Sequence, residues 1–371
     1  MRPAFADALR CFHCQGPLRL ETLLASGDEI LEGALISPCG RRFPVIRGVP
    51  RTLPDDLAPT LLVEHRDFFR RYPSLAPRAS DENRPASAST LRAFGDEWQR
   101  FPAIEEVHER IFQWYFEGPE PVRWEGLRVL DAGCGMGRWL HFARRAGADV
   151  VGMDVSPAIE VAAGRERADF VQADLRHAPL PMVSFDMVYS LGVVHHLEDP
   201  MEGLRALAGL VRPGGELRLY VYRSLEGEPW PRRVLLAAVS QVRRLTTRLP
   251  YWAVEAVAAG VGALATALFL WPRRLFRRFT LGERLTRSLP LVHYADVPFR
   301  MLVAEQFDRL VAPIEGRYRA EEVEAWISEL GFELRALLPG LGWRAIARRP
   351  GPELRTDLPR VEETVAPELR V

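Results

Sequence analysis

The stretch Leu130-Asp131-Ala132-Gly133-Cys134-Gly135-Met136-Gly137 constrains the chain more than any other. An apolar run ends in an acid, three glycines then alternate with small or apolar residues, and Arg138 to Ala146 continue with helical spacing. Glycine adds no Cβ and tolerates positive φ, so such a turn lets backbone N–H groups approach a ligand at the start of a helix. The spacing here is G-x-G-x-G. A dinucleotide fingerprint runs G-x-G-x-x-G, which disfavours a nicotinamide oxidoreductase.

From Leu127 onward short apolar runs alternate with helical patterns, the pattern of parallel strands joined by crossover helices. Strands are predicted at Arg128–Leu130, Asp149–Met153, Asp169–Gln172, Phe185–Ser190 and Glu216–Val221. Helices are predicted at Arg138–Ala146, Pro157–Arg165 and Pro200–Val211. The helix Ala320–Leu330 and strands Phe332–Leu338 and Trp343–Ala347 then close the sheet. The expected fold class is α/β, a doubly wound Rossmann-like sheet with a small N-terminal ribbon module and a mostly helical insertion.

Ligands of such sheets bind outside the carboxyl ends of the strands. Two acids besides Asp131 fall there, Asp154 and Asp174. A carboxylate at Asp154 can accept from a pair of ribose hydroxyls, and Asp174 from an exocyclic amine. Taken singly, each such Asp is as readily a helix cap.

Together these residues resemble the class I S-adenosylmethionine-dependent methyltransferases, in their small-molecule branch, over about Leu91 to Tyr222 and Ala320 to Ala347. The resemblance implies S-adenosylmethionine as cofactor, held by Asp131, Gly133, Gly135, Gly137, Asp154, Val155, Asp174, Leu175 and Ser190. Within that set Gly133 and Gly135 would line the methionine moiety, Asp154 the ribose, and Asp174 with Leu175 the adenine. Phe94-Gly95-Asp96-Glu97-Trp98 is similar to a segment preceding the core in some of these enzymes. Cys134 reads as a packing residue.

Methyl transfer needs an aligned nucleophile, and a hydroxyl acceptor is helped by a base. His195 and His196 follow the fourth strand and are the candidate catalytic residues, one of them free to pack instead. His293, Tyr294 and Asp308 are weaker candidates that read as surface or packing groups. The expected reaction is methylation of a small, apolar or lipid-like acceptor, with oxygen favoured and nitrogen and carbon left open. The alternative is a non-catalytic adaptor that binds S-adenosylmethionine and docks a partner through its N-terminal module.

At 371 residues the chain calls for two or three structural units. The expected division is a ribbon-like module over 1–54, a linker over 55–90, a methyltransferase domain over 91–223 and 313–350, a helical cap insertion over 224–312, and a tail over 351–371. Basic and acidic residues balance at 49 each, which argues against nucleic acid as a partner. The N-terminal residues lack the pattern of a secretory signal, so a cytoplasmic location, with possible membrane association, is the expectation.

Three of the four cysteines, Cys11, Cys14 and Cys39, precede residue 40, which points to a metal site rather than a disulfide scaffold. The segment resembles zinc-ribbon-like modules at the N-termini of some methyltransferases. Its second Cys-x2-Cys is broken, because Ile36 stands three residues before Cys39. His13 would be strained as a fourth ligand, so a metal-free relic is favoured and bound zinc stays open.

Ala256 to Trp271 is uncharged and is followed by Arg273, Arg274, Arg277 and Arg278. A buried cap helix over the acceptor, peripheral membrane contact through 252–278 and a true span are the three readings, in that order of preference.

Overall fold

The computed structural model describes residues 1–77, 103–224, 226, 241–247, 249–279, 282, 286, 295, 297–312 and 314–351. Phe94 to Trp98, His293, Tyr294 and 352–371 lie outside the described residues.

Two sheets organise the chain. The first is antiparallel, in the order β1 (Arg19–Ser26), β2 (Glu29–Ile36), β3 (Arg42–Ile46) and β4 (Val49–Pro50). The second contains β5 (Arg128–Ala132), β6 (Asp149–Asp154), β7 (Asp169–Gln172), β8 (Phe185–Leu191), β9 (Val211–Tyr222), β10 (Glu333–Leu338) and β11 (Gly342–Arg348). Its spatial order is β10-β11-β9-β8-β5-β6-β7, with β11 antiparallel to β9 and the five strands from β9 to β7 parallel. Chain direction across the sheet reverses between β5 and β8, the switch point at which doubly wound sheets open a crevice for a ligand. The central strands are buried along nearly their whole length, as a parallel sheet covered on both faces requires.

The N-terminal sheet is not a separate bead. Phe5, Leu9, Leu35 and Phe43 share one apolar core with Val171 of β7 and with Leu175 and Leu180 in the segment that follows it. At the β7 edge the Thr52 N–H donates to the Gln172 carbonyl at 2.9 Å. Beside it the buried guanidinium of Arg51 donates to Gln172 Oε1 at 2.8 Å and to Glu160 Oε1 at 2.7 Å. A buried cation costs heavily unless each donor finds a partner, so this contact fixes the module in one seat.

The linker expected over 55–90 does not hold for its first part. Helices Thr60–Glu64 and Arg66–Arg71 bury Leu61, Phe68 and Phe69 against Ala34 and Ile46 of the ribbon sheet. Helices of 5 and 6 residues are too short for a period to be read. The rest of that segment, from 78, lies outside the described residues.

Within 224–312 the described residues are helical at 241–246, Tyr251–Phe276 and Phe299–Val311. Val254 and Ala258 of the long helix pack on Val303, Phe307 and Leu310. A π-helical stretch, Thr266–Leu270, precedes Pro272, whose missing N–H and ring would clash with a regular α-helical turn. Only 28 % of the most apolar window of this helix is buried, so it is not the enclosed cap helix that was the first reading.

Candidate active site

The glycine turn joins β5 to the helix Arg138–Arg145. Gly133, Gly135 and Gly137 take φ of +88°, +52° and +80°, conformations that side-chain-bearing residues rarely adopt. At Gly133 an added Cβ would also clash with the Val193 side chain. The Gly133 and Cys134 N–H groups donate to the Met153 carbonyl at 2.7 and 3.0 Å, which ties the turn to β6.

Asp154 ends β6 with its carboxylate held from two sides. Gly135 N–H donates to Oδ2 and Ser156 N–H to Oδ1, each at 2.7 Å. Each oxygen keeps a lone pair, so the group is oriented yet can still accept from a pair of hydroxyls. Burial raises its pKa, and the Ser156 and Gly135 donors oppose the rise.

Asp131 is 1 % exposed, and its Oδ2 has no hydrogen-bond partner. Burial pushes its pKa up to about 8, with the Asp154 charge adding to the rise and neighbouring Tyr189 opposing it. An orphaned buried carboxyl at a strand end calls for a cationic donor. S-adenosylmethionine carries an ammonium, a ribose diol and a sulfonium, so Asp131, the glycine turn and Asp154 fit it.

Asp174 sits differently from the expectation. Its carboxylate caps the turn Leu175–His177 by accepting from Arg176 N–H at 2.9 Å, and the Arg176 guanidinium contacts both oxygens. In the ligand-free site the carboxylate therefore caps its own turn and pairs with Arg176. Leu175 is buried beneath it. Ser190 is buried and donates its hydroxyl to the Ala132 carbonyl at 2.9 Å, where it ties β8 to β5. The Val155 carbonyl accepts from Gln172 Nε2 at 3.0 Å. Cys134 is buried with its thiol pKa driven up by burial, in keeping with a packing residue.

His195 and His196 form a 3-10 turn after β8, and their places differ. His196 Nδ1 lies 2.6 Å from the Ile314 carbonyl, so that nitrogen carries the proton and ties the turn to the segment before the last helix. His195 is 0 % exposed, with neither ring nitrogen hydrogen-bonded. Its ring stacks on Tyr222 at 4.1 Å between centroids, and burial holds its pKa well below the usual value. It is therefore a neutral imidazole with an unmet donor and an unmet acceptor.

Asp308, on the helix Phe299–Val311, faces the same end of β9 and is only partly buried. Burial pushes its carboxyl up to about 7, with Glu305 and Glu315 adding to the rise and Arg309 and Arg243 opposing it. Its charge is felt by Tyr222. The segment 314–318 closes this side: Gly316 N–H donates to the His195 carbonyl at 2.7 Å and Tyr318 N–H to the Tyr222 carbonyl at 2.9 Å. Glu315 pairs with Arg243 at 2.8 Å and Arg317 at 2.7 Å. Tyr222 and Asp308 are contributions that sequence reasoning undervalued. The signal for Tyr222 was its place at the carboxyl end of the fifth strand.

In the ribbon, the Cys11, Cys14 and Cys39 sulfurs lie within 4.8 Å of one another. Ser37 stands beside them, its Oγ hydrogen-bonded with Cys14 Sγ at 3.2 Å and with Cys39 Sγ at 3.1 Å. Tetrahedral zinc with bonds of about 2.3 Å places sulfurs about 3.8 Å apart, and Cys11 Sγ is 3.9 Å from Cys39 Sγ. Three cysteine sulfurs at this spacing can hold such an ion. The ribbon therefore keeps a zinc-compatible donor set.

A glycine turn, two acids at the ends of the adjoining strands β5 and β6, and the switch point on the other side of β5 define a nucleoside-type cofactor site on a doubly wound sheet. Residues 130–219 match the family described as methyltransferase domain. This part of the chain is a methyltransferase domain, and its site fits S-adenosylmethionine. The chain is 32 % identical over 162 residues to a tRNA U34 carboxymethyltransferase of Idiomarina loihiensis, covering 39 % of this chain and 49 % of the relative. It is 37 % identical over 101 residues to a ubiquinone biosynthesis O-methyltransferase of Cereibacter sphaeroides, covering 26 % and 41 %. Thus the chain spans about half or less of the length of these curated relatives. Among solved structures, magnesium protoporphyrin IX methyltransferase from Synechocystis with bound S-adenosylmethionine aligns over 80 % of this chain and 96 % of its own, at 14 % identity and a TM-score of 0.36.

Proposed function

We propose that this protein methylates a hydroxyl group of a small, apolar or lipid-like acceptor held between the His195 turn, the end of β9 and the helix Phe299–Val311. The observation that carries the reading is His195, fully buried with two unpartnered ring nitrogens, stacked on Tyr222 within reach of the Asp308 field. Bound S-adenosylmethionine supplies an electrophilic methyl group. Asp131, the glycine turn and Asp154 bind and orient the cofactor. His195, neutral and lacking a partner, hydrogen-bonds the acceptor and aligns its oxygen. Its lowered basicity makes it a poor proton acceptor, whereas a carboxylate titrating near 7 suits a general base at neutral pH. Asp308 therefore takes the hydroxyl proton.

Likeness to an O-methyltransferase supports oxygen as the acceptor atom. Against a tRNA acceptor stands the balance of 49 basic and 49 acidic residues, which gives no general attraction for a polyanion. The test is formation of S-adenosylhomocysteine from S-adenosylmethionine with fractionated lipid extracts, alongside Asp308→Asn. Turnover confined to apolar fractions, with kcat lowered about 10²- to 10⁴-fold in the variant and cofactor affinity kept, is expected. Cofactor binding without turnover on any fraction would overturn the proposal and leave the adaptor reading.

A further inference from the structure

One polar row crosses the larger sheet at the end of β5. In register on neighbouring strands stand Gly152 of β6, Asp131 of β5, Tyr189 of β8 and Arg218 of β9. Register partners in parallel strands send their side chains to the same face, so carboxyl, phenol and guanidinium follow one another there. All three residues are buried, Tyr189 at 0 % exposure. Two of their polar atoms have no hydrogen-bond partner, Asp131 Oδ2 and Tyr189 Oη. A buried phenol ordinarily finds one. Arg218 is engaged elsewhere: its Nε and Nη2 each lie 2.9 Å from Glu216 Oε2, and its Nη1 donates to the Phe116 carbonyl at 2.9 Å. Phe116, at the end of the helix Glu106–Phe116, covers the phenol with an uncharged ring, edge-on at 5.1 Å between centroids. The hydroxyl therefore has one charged neighbour in the row left to serve, the carboxyl of Asp131.

We propose that Tyr189 is a positioning residue for cofactor binding: its hydroxyl donates to the Asp131 carboxylate and holds that group ionised and turned towards the cofactor ammonium. A hydrogen bond to a carboxylate is charge-assisted and stronger than one to the neutral acid, so a donor at this place favours the ionised form. Tyr189 keeps its proton to donate, because burial and the neighbouring Asp131 charge drive its pKa well above the usual value. The Leu140 N–H, in the helix after the glycine turn, also favours the carboxylate, whereas the Asp154 charge opposes it. Cys134, the remaining titratable neighbour, stays a neutral thiol through burial. The inference rests on the assignment of Asp131 to the cofactor ammonium and is independent of which acceptor is methylated.

The test is titration calorimetry of S-adenosylhomocysteine between pH 6 and 9 with the full chain, Tyr189→Phe, Asp131→Asn and the double variant. Phenylalanine keeps the ring that packs on Phe116 and removes only the hydroxyl. A hydrogen bond to an ionised group is taken as about tenfold, or about one pKa unit. The Asp131 midpoint then moves from about 8 to about one unit higher in Tyr189→Phe. That variant should bind about tenfold more weakly at pH 6 but only about twofold more weakly at pH 9, where about half of its Asp131 has ionised. Titration of the cofactor amine is common to both proteins and cancels in the ratio. Proton release on binding at pH 8 should rise by about 0.4 per site. In the Asp131→Asn background, Tyr189→Phe should change the affinity no further. A ratio that stays constant from pH 6 to 9, or an equal loss in the Asn background, is what a merely packing ring would give and would overturn the proposal. Asp131→Asn binding as tightly as the unaltered protein would instead remove the ammonium assignment, and the role of Tyr189 with it.

Discussion

Asp131 offers a direct link between burial and cofactor affinity. In the cofactor-free site its carboxyl titrates at about 8, chiefly because it is buried. At pH 6 such a group is ionised in about 1 % of molecules and at pH 8 in about half. If the cofactor ammonium binds the carboxylate, affinity should rise with pH over this window by about 50-fold, reduced about twofold at the upper end as the ammonium itself begins to deprotonate. Binding near pH 6.5 should release close to one proton per site. Titration calorimetry of S-adenosylhomocysteine in two buffers of different ionisation enthalpy measures both quantities, and Asp131→Asn should bind weakly with no pH slope and no proton release. The folding linkage runs the other way. An acid whose folded pKa lies above its unfolded value of 3.8 binds more protons when folded, so its contribution to stability is present below the unfolded pKa and is lost as pH rises towards 8. Cofactor-free protein should accordingly lose thermal stability across that range, and the Asn variant should lose less. Affinity that stays flat between pH 6 and 8 in the unaltered protein would refute the reasoning.

At Gly133, alanine must adopt φ of +88° with its Cβ against Val193, so Gly133→Ala should cost about 1 to 3 kcal/mol in denaturant unfolding and at least tenfold in cofactor affinity. His195→Ala should raise the acceptor KM about tenfold while leaving the S-adenosylhomocysteine Kd in place, since one hydrogen bond to the acceptor is lost; unchanged acceptor KM and kcat would remove the residue from the site. Zinc added to metal-free protein should bind one ion per chain, more tightly in Ser37→Cys and far more weakly in Cys11→Ala, as followed by competition with a chromogenic chelator.

The strand ends that carry Asp131 and Asp154 were legible because strand, turn and helix each announce themselves within a few residues. Glycines at positive φ and acids closing apolar runs are local signals. The deviations arose where a partner decided the outcome. Asp174 was read as a ligand acceptor, yet Arg176, two residues on, reaches back to both oxygens. Ser37 escaped notice because ligand spacing was counted as Cys-x2-Cys. In the folded turn the Cys39 N–H donates to Ser37 Oγ at 3.3 Å, which draws a residue only two positions back into the cluster. Asp308 looked like a surface charge in an Arg-studded helix. Its distinguishing property is that its charge is felt by Tyr222, 86 residues earlier in the chain, which no local pattern encodes.

Ion pairs and ring contacts tie the insertion to this end of β9. Glu315, nearly buried, holds Arg243 from the insertion and Arg317 from the segment after it. Arg317 lies over the Tyr222 ring at 5.3 Å, and Tyr222 stacks on His195. Thr246 Oγ1 donates to the Leu310 carbonyl at 2.7 Å, two residues beyond Asp308. The helix that presents Asp308 is packed on its other side by the helix Tyr251–Phe276. A load applied at that helix therefore reaches Asp308 through one layer of packed side chains, and packed layers transmit displacement because they contain little empty space. Substitutions that loosen the layer, such as Phe307→Ala, should then lower kcat more than they alter the cofactor Kd, and the ratio of those two effects measures how far the insertion sets the position of the proposed base.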